Sequence, residues 1–341
     1  ISCSPKPYRK RRQCKADPIK TLEERAVITA KLQCMSHTPL MGLVDPDGAT
    51  EGAAKQALAR LKESLERFNP DIIFLFAPDH YNGFFYDLMP SFCIGAAASA
   101  IGDFGSLKGN LEVPRDIAVR CAEAVLEEGI DAALSYRMQV DHGFAQPLQL
   151  LTGALDRYPV VPIFINSVAV PMPGFRRAGL LGEAVGRFAA TLDRRVLFMA
   201  SGGLSHNPPV PDLAGADQEV AERLIAGRNP TPEAREARQQ RTIGAARAFA
   251  AGASELLPLN PGWDQEFLAA LERRDLASFD SVSNAEVSAT AGASAHEVKT
   301  WVAANAAIAA ATGGRYEARA GFYQAIPEWI AGFATLEGYS L

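Results

Sequence analysis

Four of the five histidines in the 341-residue chain stand where a strand is expected to end. His37 sits in Cys34-Met35-Ser36-His37-Thr38-Pro39, past a strand predicted over Ile28–Met35. His80 follows the continuous apolar run Asp71–Ala77, His142 comes after a short strand predicted over Asp131–Ser135, and His206 follows Arg195–Ala200. In an open parallel sheet these carboxyl ends line one edge, where ligand crevices form. His37 and His80 are about one strand–helix–strand crossover apart, so neighbouring parallel strands would bring their imidazoles together. The alternative is four unrelated histidines in polar loops.

Two imidazoles leave a metal site unfinished. No Cys-x-x-Cys pair is present, so a third ligand must be a carboxylate or another histidine. Two histidines and one carboxylate on one face of an octahedron suit ferrous iron and leave positions open for substrate and dioxygen. Zinc accepts the same ligands with a single open position. The residues alone leave both metals open.

Other polar residues have ordinary explanations. Ser294-x-x-Glu297 reads as a capping box at a helix start, which needs no metal. His296 is turned about 100° around that helix from Glu297 and is given no role; Trp301 reads as packing. Asp79 and Asp141, each preceding a site histidine, are either groups that orient imidazoles or turn residues. Gly202-Gly203 lacks a phosphate-loop context, and Ser205 lacks a nucleophile elbow. Arg235, Arg238 and Arg241 read as a solvated helix face.

Short apolar runs alternate with longer amphipathic ones. Glu51–Phe68 reads as a helix, with Ala54, Leu58, Leu61, Leu65 and Phe68 on one side. Helices are also expected at Pro114–Glu128, Gln146–Leu155 and Gly174–Leu192, and another strand at Val160–Asn166. After about residue 212 the pattern turns helical: Thr231-Pro232-Glu233 starts a helix over Ala234–Ala251, and others follow near Trp263–Arg273, Asn284–Ala291 and His296–Ala311. The expected fold is a single α/β domain: a mostly parallel central sheet, helices on both faces and a helical C-terminal part.

A composition of 48% hydrophobic and 21% charged residues excludes disorder, and no apolar run is long enough to span a membrane. Residues 1–31 are strongly basic; they are expected to be a disordered leader, with the domain over 32–341. That domain is acidic and lacks a basic stripe, which argues against nucleic acid as a partner. The odd set Cys3, Cys14, Cys34, Cys93 and Cys121 fits a reducing, cytoplasmic setting.

The motifs around these residues resemble a family. Ser36-His37-Thr38-Pro39-Leu40, Phe76-Ala77-Pro78-Asp79-His80-Tyr81-Asn82-Gly83-Phe84-Phe85-Tyr86, Gln139-Val140-Asp141-His142-Gly143-Phe144-Ala145-Gln146-Pro147, Ser201-Gly202-Gly203-Leu204-Ser205-His206, Ser294-Ala295-His296-Glu297-Val298-Lys299-Thr300-Trp301 and Ile326-Pro327-Glu328-Trp329-Ile330 together look like the class III (LigB-type) extradiol ring-cleavage dioxygenases. The resemblance runs from about Gln33 to the end of the sequence. It implies one Fe(II) held by His37, His80 and Glu297, with His142 as proton donor and His206 as proton acceptor. It further implies a catecholic substrate with an acidic side chain, O2 as co-substrate, and a homo-oligomer, tetrameric by family. A zinc-dependent hydrolase on the same ligands, or a non-catalytic binding protein of the same fold, are the rival expectations.

Overall fold

The computed structural model describes residues 29–341. Its strands are β1 (Ala30–Met35), β2 (Ile72–Ala77), β3 (Phe92–Gly95), β4 (Ala98–Ile101), β5 (Lys108–Asn110), β6 (Ala133–Ser135), β7 (Met138–Val140), β8 (Val160–Ile165), β9 (Val196–Ser201), β10 (Tyr316–Ile326) and β11 (Ala331–Ser340). Its helices are α1 (Gly48–Phe68), α2 (Arg115–Glu127), α3 (His142–Thr152), α4 (Phe175–Ala189), α5 (Gln218–Ala226), α6 (Pro232–Ala250), α7 (Pro261–Glu272), α8 (Asn284–Thr290) and α9 (Lys299–Thr312).

Eight strands form one sheet in the order β10-β11-β1-β9-β2-β8-β3-β6, and β5-β4-β7 form a small second sheet. The four central strands β1, β9, β2 and β8 are parallel and buried along their whole length. Runs such as Ile72-Ile73-Phe74-Leu75-Phe76 suit that position because helices cover both faces. Phe74 and Phe76 pack with side chains of α2, α4, α7 and α9, whereas Ile73 and Leu75 pack with α1 and α3.

Helix α9 is apolar nearly all round, as a helix buried on all sides must be. It lies against α4 so closely that a Cβ at Gly182 or Gly186 would come within 2.0–2.1 Å of the Ala303 or Ala307 carbonyl oxygen. The contact requires glycine. It fixes the depth of α9, and with it the segment that precedes α9 in the chain.

The expected α/β fold with its helical later part is present, and four details differ. The chain closes on the antiparallel hairpin β10–β11, which pairs with β1. Its Ala- and Gly-containing strands lack the continuous apolar run that marks the central ones. β9 lies between β1 and β2, so the strands preceding His37 and His80 are not neighbours. His142 follows β7 of the small sheet and not the Asp131–Ser135 strand. β1 begins at Ala30, and Lys31 pairs with Glu337 at 2.7 Å, which puts the domain start inside the 1–31 segment. Residues 1–28 lie outside the described residues.

Candidate metal centre

The carboxyl ends of β1, β2 and β9 open on one edge, and there His37, His80 and His206 emerge. Nδ1 of His37 meets the Ser201 hydroxyl at 2.9 Å, a contact from the last residue of β9 that sets the ring's orientation. Gln146 on α3 clamps the next residue, accepting from the Thr38 N–H at 2.8 Å and donating to its carbonyl at 2.7 Å. The His37 ring stands 5.4 Å from His80 and 5.3 Å from His142, centroid to centroid.

His80 is held by Asp141. One carboxylate oxygen accepts from the His80 backbone N–H at 2.8 Å, from its Nδ1 at 3.0 Å and from the Asn82 amide at 2.9 Å. Tyr81, with φ at +54°, turns the chain so that Asn82 can reach back. Asp141 therefore orients an imidazole, while Asp79 is a turn residue that accepts the backbone N–H groups of Asn82, Gly83 and Phe84.

Glu297 does not close a capping box, since Ser294 makes no side-chain cap bond. Its carboxylate turns into the histidines instead. Oε1 lies 3.0 Å from His80 Nε2 and 3.2 Å from His206 Nε2; Oε2 lies 3.5 Å from His37 Nε2 and accepts from the Gly203 N–H at 3.0 Å. Gly202 permits this approach, because a Cβ there would stand 2.7 Å from the Glu297 carbonyl oxygen. Trp301 packs below and donates to the Gly202 carbonyl at 3.0 Å.

His142 opens α3 and stacks on His80 at 4.5 Å. Its Nδ1 donates to Asp103 at 2.5 Å, and its backbone N–H donates to the other oxygen of that carboxylate at 2.9 Å. His206 Nδ1 donates to the neutral Leu204 carbonyl at 2.8 Å, while its Nε2 faces Glu297. A cavity of about 240 Å³ opens beside His142, lined by Pro39, Met41, Phe104 and Gln146 among others.

Burial alone would raise the Glu297 carboxyl, but the nearby His206 and His37 and the hydrogen bonds from His206 and His80 hold it well below the usual range. Burial likewise opposes charge on His80, and Asp141 and Glu297 overcome it, pushing that imidazole well up. His37 goes the other way, to about 3, because burial dominates over the Glu297 charge. Side chains of His37, His80 and His142 lie within 4.8 Å of one another, and so do those of Asp103, Asp141 and His142. The cluster is compatible with a metal site.

All five expected residues thus lie in one cluster, with Glu297 against His37, His80 and His206, and His142 beside His37 and His80. His296 faces away, between the Ser288 hydroxyl and Lys299 Nζ. Asp103, Gln146 and Ser201 were not legible in the sequence; Asp103, flanked by Gly102 and Phe104-Gly105, looks like any turn acid. The arginine series also departs from expectation. Arg238 is half-buried and donates to Asn82 Oδ1 at 3.2 Å and to the His80 carbonyl, and Arg235 reaches the Ile101 carbonyl at 3.4 Å. Only Arg241 keeps the exposed position.

No helix among the described residues is long and apolar enough to cross a membrane. A family model described as the catalytic LigB subunit of aromatic ring-opening dioxygenase matches residues 31–334. Over 315 residues the chain is 59% identical to the 2,3-dihydroxyphenylpropionate/2,3-dihydroxicinnamic acid 1,2-dioxygenase 1 of Pseudomonas putida, covering 92% of this chain and 100% of that protein. The 2,3-dihydroxyphenylpropionate/2,3-dihydroxicinnamic acid 1,2-dioxygenase of Burkholderia vietnamiensis is 58% identical over 305 residues, covering 89% of this chain and 96% of its own. One from Klebsiella pneumoniae is 55% identical over 308 residues, covering 90% and 98%. The chain belongs to the LigB family of aromatic ring-opening dioxygenases, with the histidine–carboxylate cluster at its sheet edge as the candidate metal centre.

Proposed function

We propose that this enzyme opens the ring of 3-(2,3-dihydroxyphenyl)propionate and 2,3-dihydroxycinnamate beside the diol, incorporating both atoms of O2, with one Fe(II) held by His37, His80 and Glu297. The activities for which the relatives are named support the substrate class. The observation that carries the ligand set is the Glu297 carboxylate, 3.0 Å from His80 Nε2 and 3.5 Å from His37 Nε2. Two imidazole nitrogens and a carboxylate are the donor set that suits a ferrous ion, and these three side chains would hold it. A divalent cation there also meets the buried charge of Glu297, which is otherwise balanced by imidazole protons.

When bound, ferrous iron supplies Lewis acidity toward the diol protons and a route for electrons between diol and O2. The protein supplies the proton transfers. His206, tied through Nδ1 to a carbonyl, has its Nε2, which otherwise faces Glu297, available to accept a proton from a diol hydroxyl when Glu297 is committed to the metal. His142, oriented through Nδ1 by the Asp103 carboxylate, presents Nε2 as the proton donor to the opening ring. Each transfer is worth about 10²–10⁴-fold in rate. Buried free thiols at Cys34, Cys93 and Cys121 agree with a cytoplasmic setting, and the assembly we infer is a homo-oligomer, a tetramer as the family resemblance implies.

The test is anaerobic Fe(II) loading, followed by O2 and a panel of catechols. A coloured ring-fission product with matching oxygen uptake is expected with Fe(II) and not with Zn(II). Hydrolysis supported by Zn(II), or no oxygen uptake, overturns the assignment.

A further inference from the structure

Arg235 and Arg238 lie one turn apart on α6, both half-buried. Arg238 bonds the backbone of His80 and the side chain of Asn82. Arg235 bonds the carbonyl of Ile101, next to the Gly102–Gly105 turn that carries Asp103. One face of one helix thus bridges the loop of His80 and the loop behind His142, whose rings stack at 4.5 Å.

The charge on this face has no counterpart. Among the described residues, Arg223, Arg235, Arg238 and Arg241 have no carboxylate within ion-pair distance, although Arg187, Arg195 and Arg228 all do. Arg223 on α5 is held below its ordinary range by burial and by the charges of Arg238 and Arg241, against weaker opposition from Glu219 and Asp217. Half-buried guanidiniums bonded only to neutral acceptors remain open to an anion, and their fork geometry matches a carboxylate. A three-carbon tail reaches roughly 4–5 Å beyond a ring, at about 1.5 Å per bond, and Arg238 rests on the backbone of His80, one of the site's imidazoles.

We propose that the Arg235–Arg238 face of α6 binds the side-chain carboxylate of the substrate and sets a preference for catechols with an anionic tail. The proposal rests on the ring-cleavage reading above. The rival cation is Lys55, at the rim of the cavity beside His142, but it is already paired with Glu51.

The experiment compares kcat/KM for 3-(2,3-dihydroxyphenyl)propionate and for uncharged 3-methylcatechol in Fe(II)-loaded enzyme. Wild type is expected to favour the acid, and Arg235→Gln/Arg238→Gln to cut that preference about 10–100-fold, mainly through KM. Arg235→Gln alone, which leaves the bonds to His80 in place, is expected to move the ratio the same way by about 3–10-fold, and Arg238→Lys to keep part of it. Equal losses on both catechols would mean only loop support and overturn the subsite. So would a wild type without preference, or a ratio that collapses in Lys55→Gln and not in the arginine variants. Turnover of neither catechol by wild type brings down ring cleavage itself, and the subsite with it.

Discussion

Asp141 precedes His142 in the chain, yet its carboxylate holds His80, 61 residues away, while His142 is held by Asp103. Each imidazole is thus oriented by an acid from another loop. If His80 is a ligand, Asp141→Asn keeps the shape but weakens the basicity lent to the ring. Metal affinity should fall about 10–100-fold with little change in melting temperature. Unchanged affinity in a competition titration would show that Asp141 only caps α3.

His37→Ala and Glu297→Ala should leave the enzyme without bound iron, read by metal analysis after Fe(II) loading and desalting. The same site should lose metal on acidification. In the metal-free chain both His80 nitrogens face carboxylates and the ring is pushed well up, so metal and proton compete for Nε2. Affinity therefore weakens as pH falls, with proton release on loading as the calorimetric signature.

His142→Ala and His206→Ala should retain iron and lose about 10²–10⁴-fold in turnover. Loss of iron from either variant would assign that histidine to the ligand set and overturn the division of roles.

Lys299 is wholly buried, its Nζ 3.2 Å from His296 Nδ1 and 5.1 Å from the Phe175 ring centroid. Burial brings its ammonium down to about 7. The unfolded chain, with an ordinary lysine near 10.4, binds more protons than the folded one between those values, so stability rises with pH across that window. Lys299→Met should stabilise the protein by on the order of a few kcal/mol at neutral pH, and the gain should shrink toward pH ~10. Thermal melts at both pH values decide it.

Gly182→Val should separate α4 from α9, because even a Cβ meets the Ala303 carbonyl oxygen at 2.0 Å. A loss of about 2–3 kcal/mol or more is expected in denaturant melts. Iron retention should fall too, since α9 carries the depth of Glu297.

The central strands were legible because burial on both faces demands uninterrupted apolar runs, and Asp71–Ala77 is one. The hairpin β10–β11 was not, because Tyr316–Ile326 mixes Ala, Gly, Glu and Arg and is only partly buried. Ser294-x-x-Glu297 shows the same limit at the site. The spacing fits a cap and a metal-facing carboxylate equally well, and the choice falls to Gly202, whose missing side chain lets Glu297 in.

By itself, the sequence set four histidines after strand-like runs, and Glu297 joined them only through the family resemblance of the motifs. Tertiary structure alone decided how those side chains are held. Inserting β9 between β1 and β2 brings Ser201 to His37, and the crossing of loops gives Asp141 to His80 and Asp103 to His142. Helix periodicity left Arg235 and Arg238 looking solvated, and packing turned them inward. Local sequence encodes backbone conformation and the apolar face. Which polar groups meet depends on strand order and helix depth, quantities summed over the whole core.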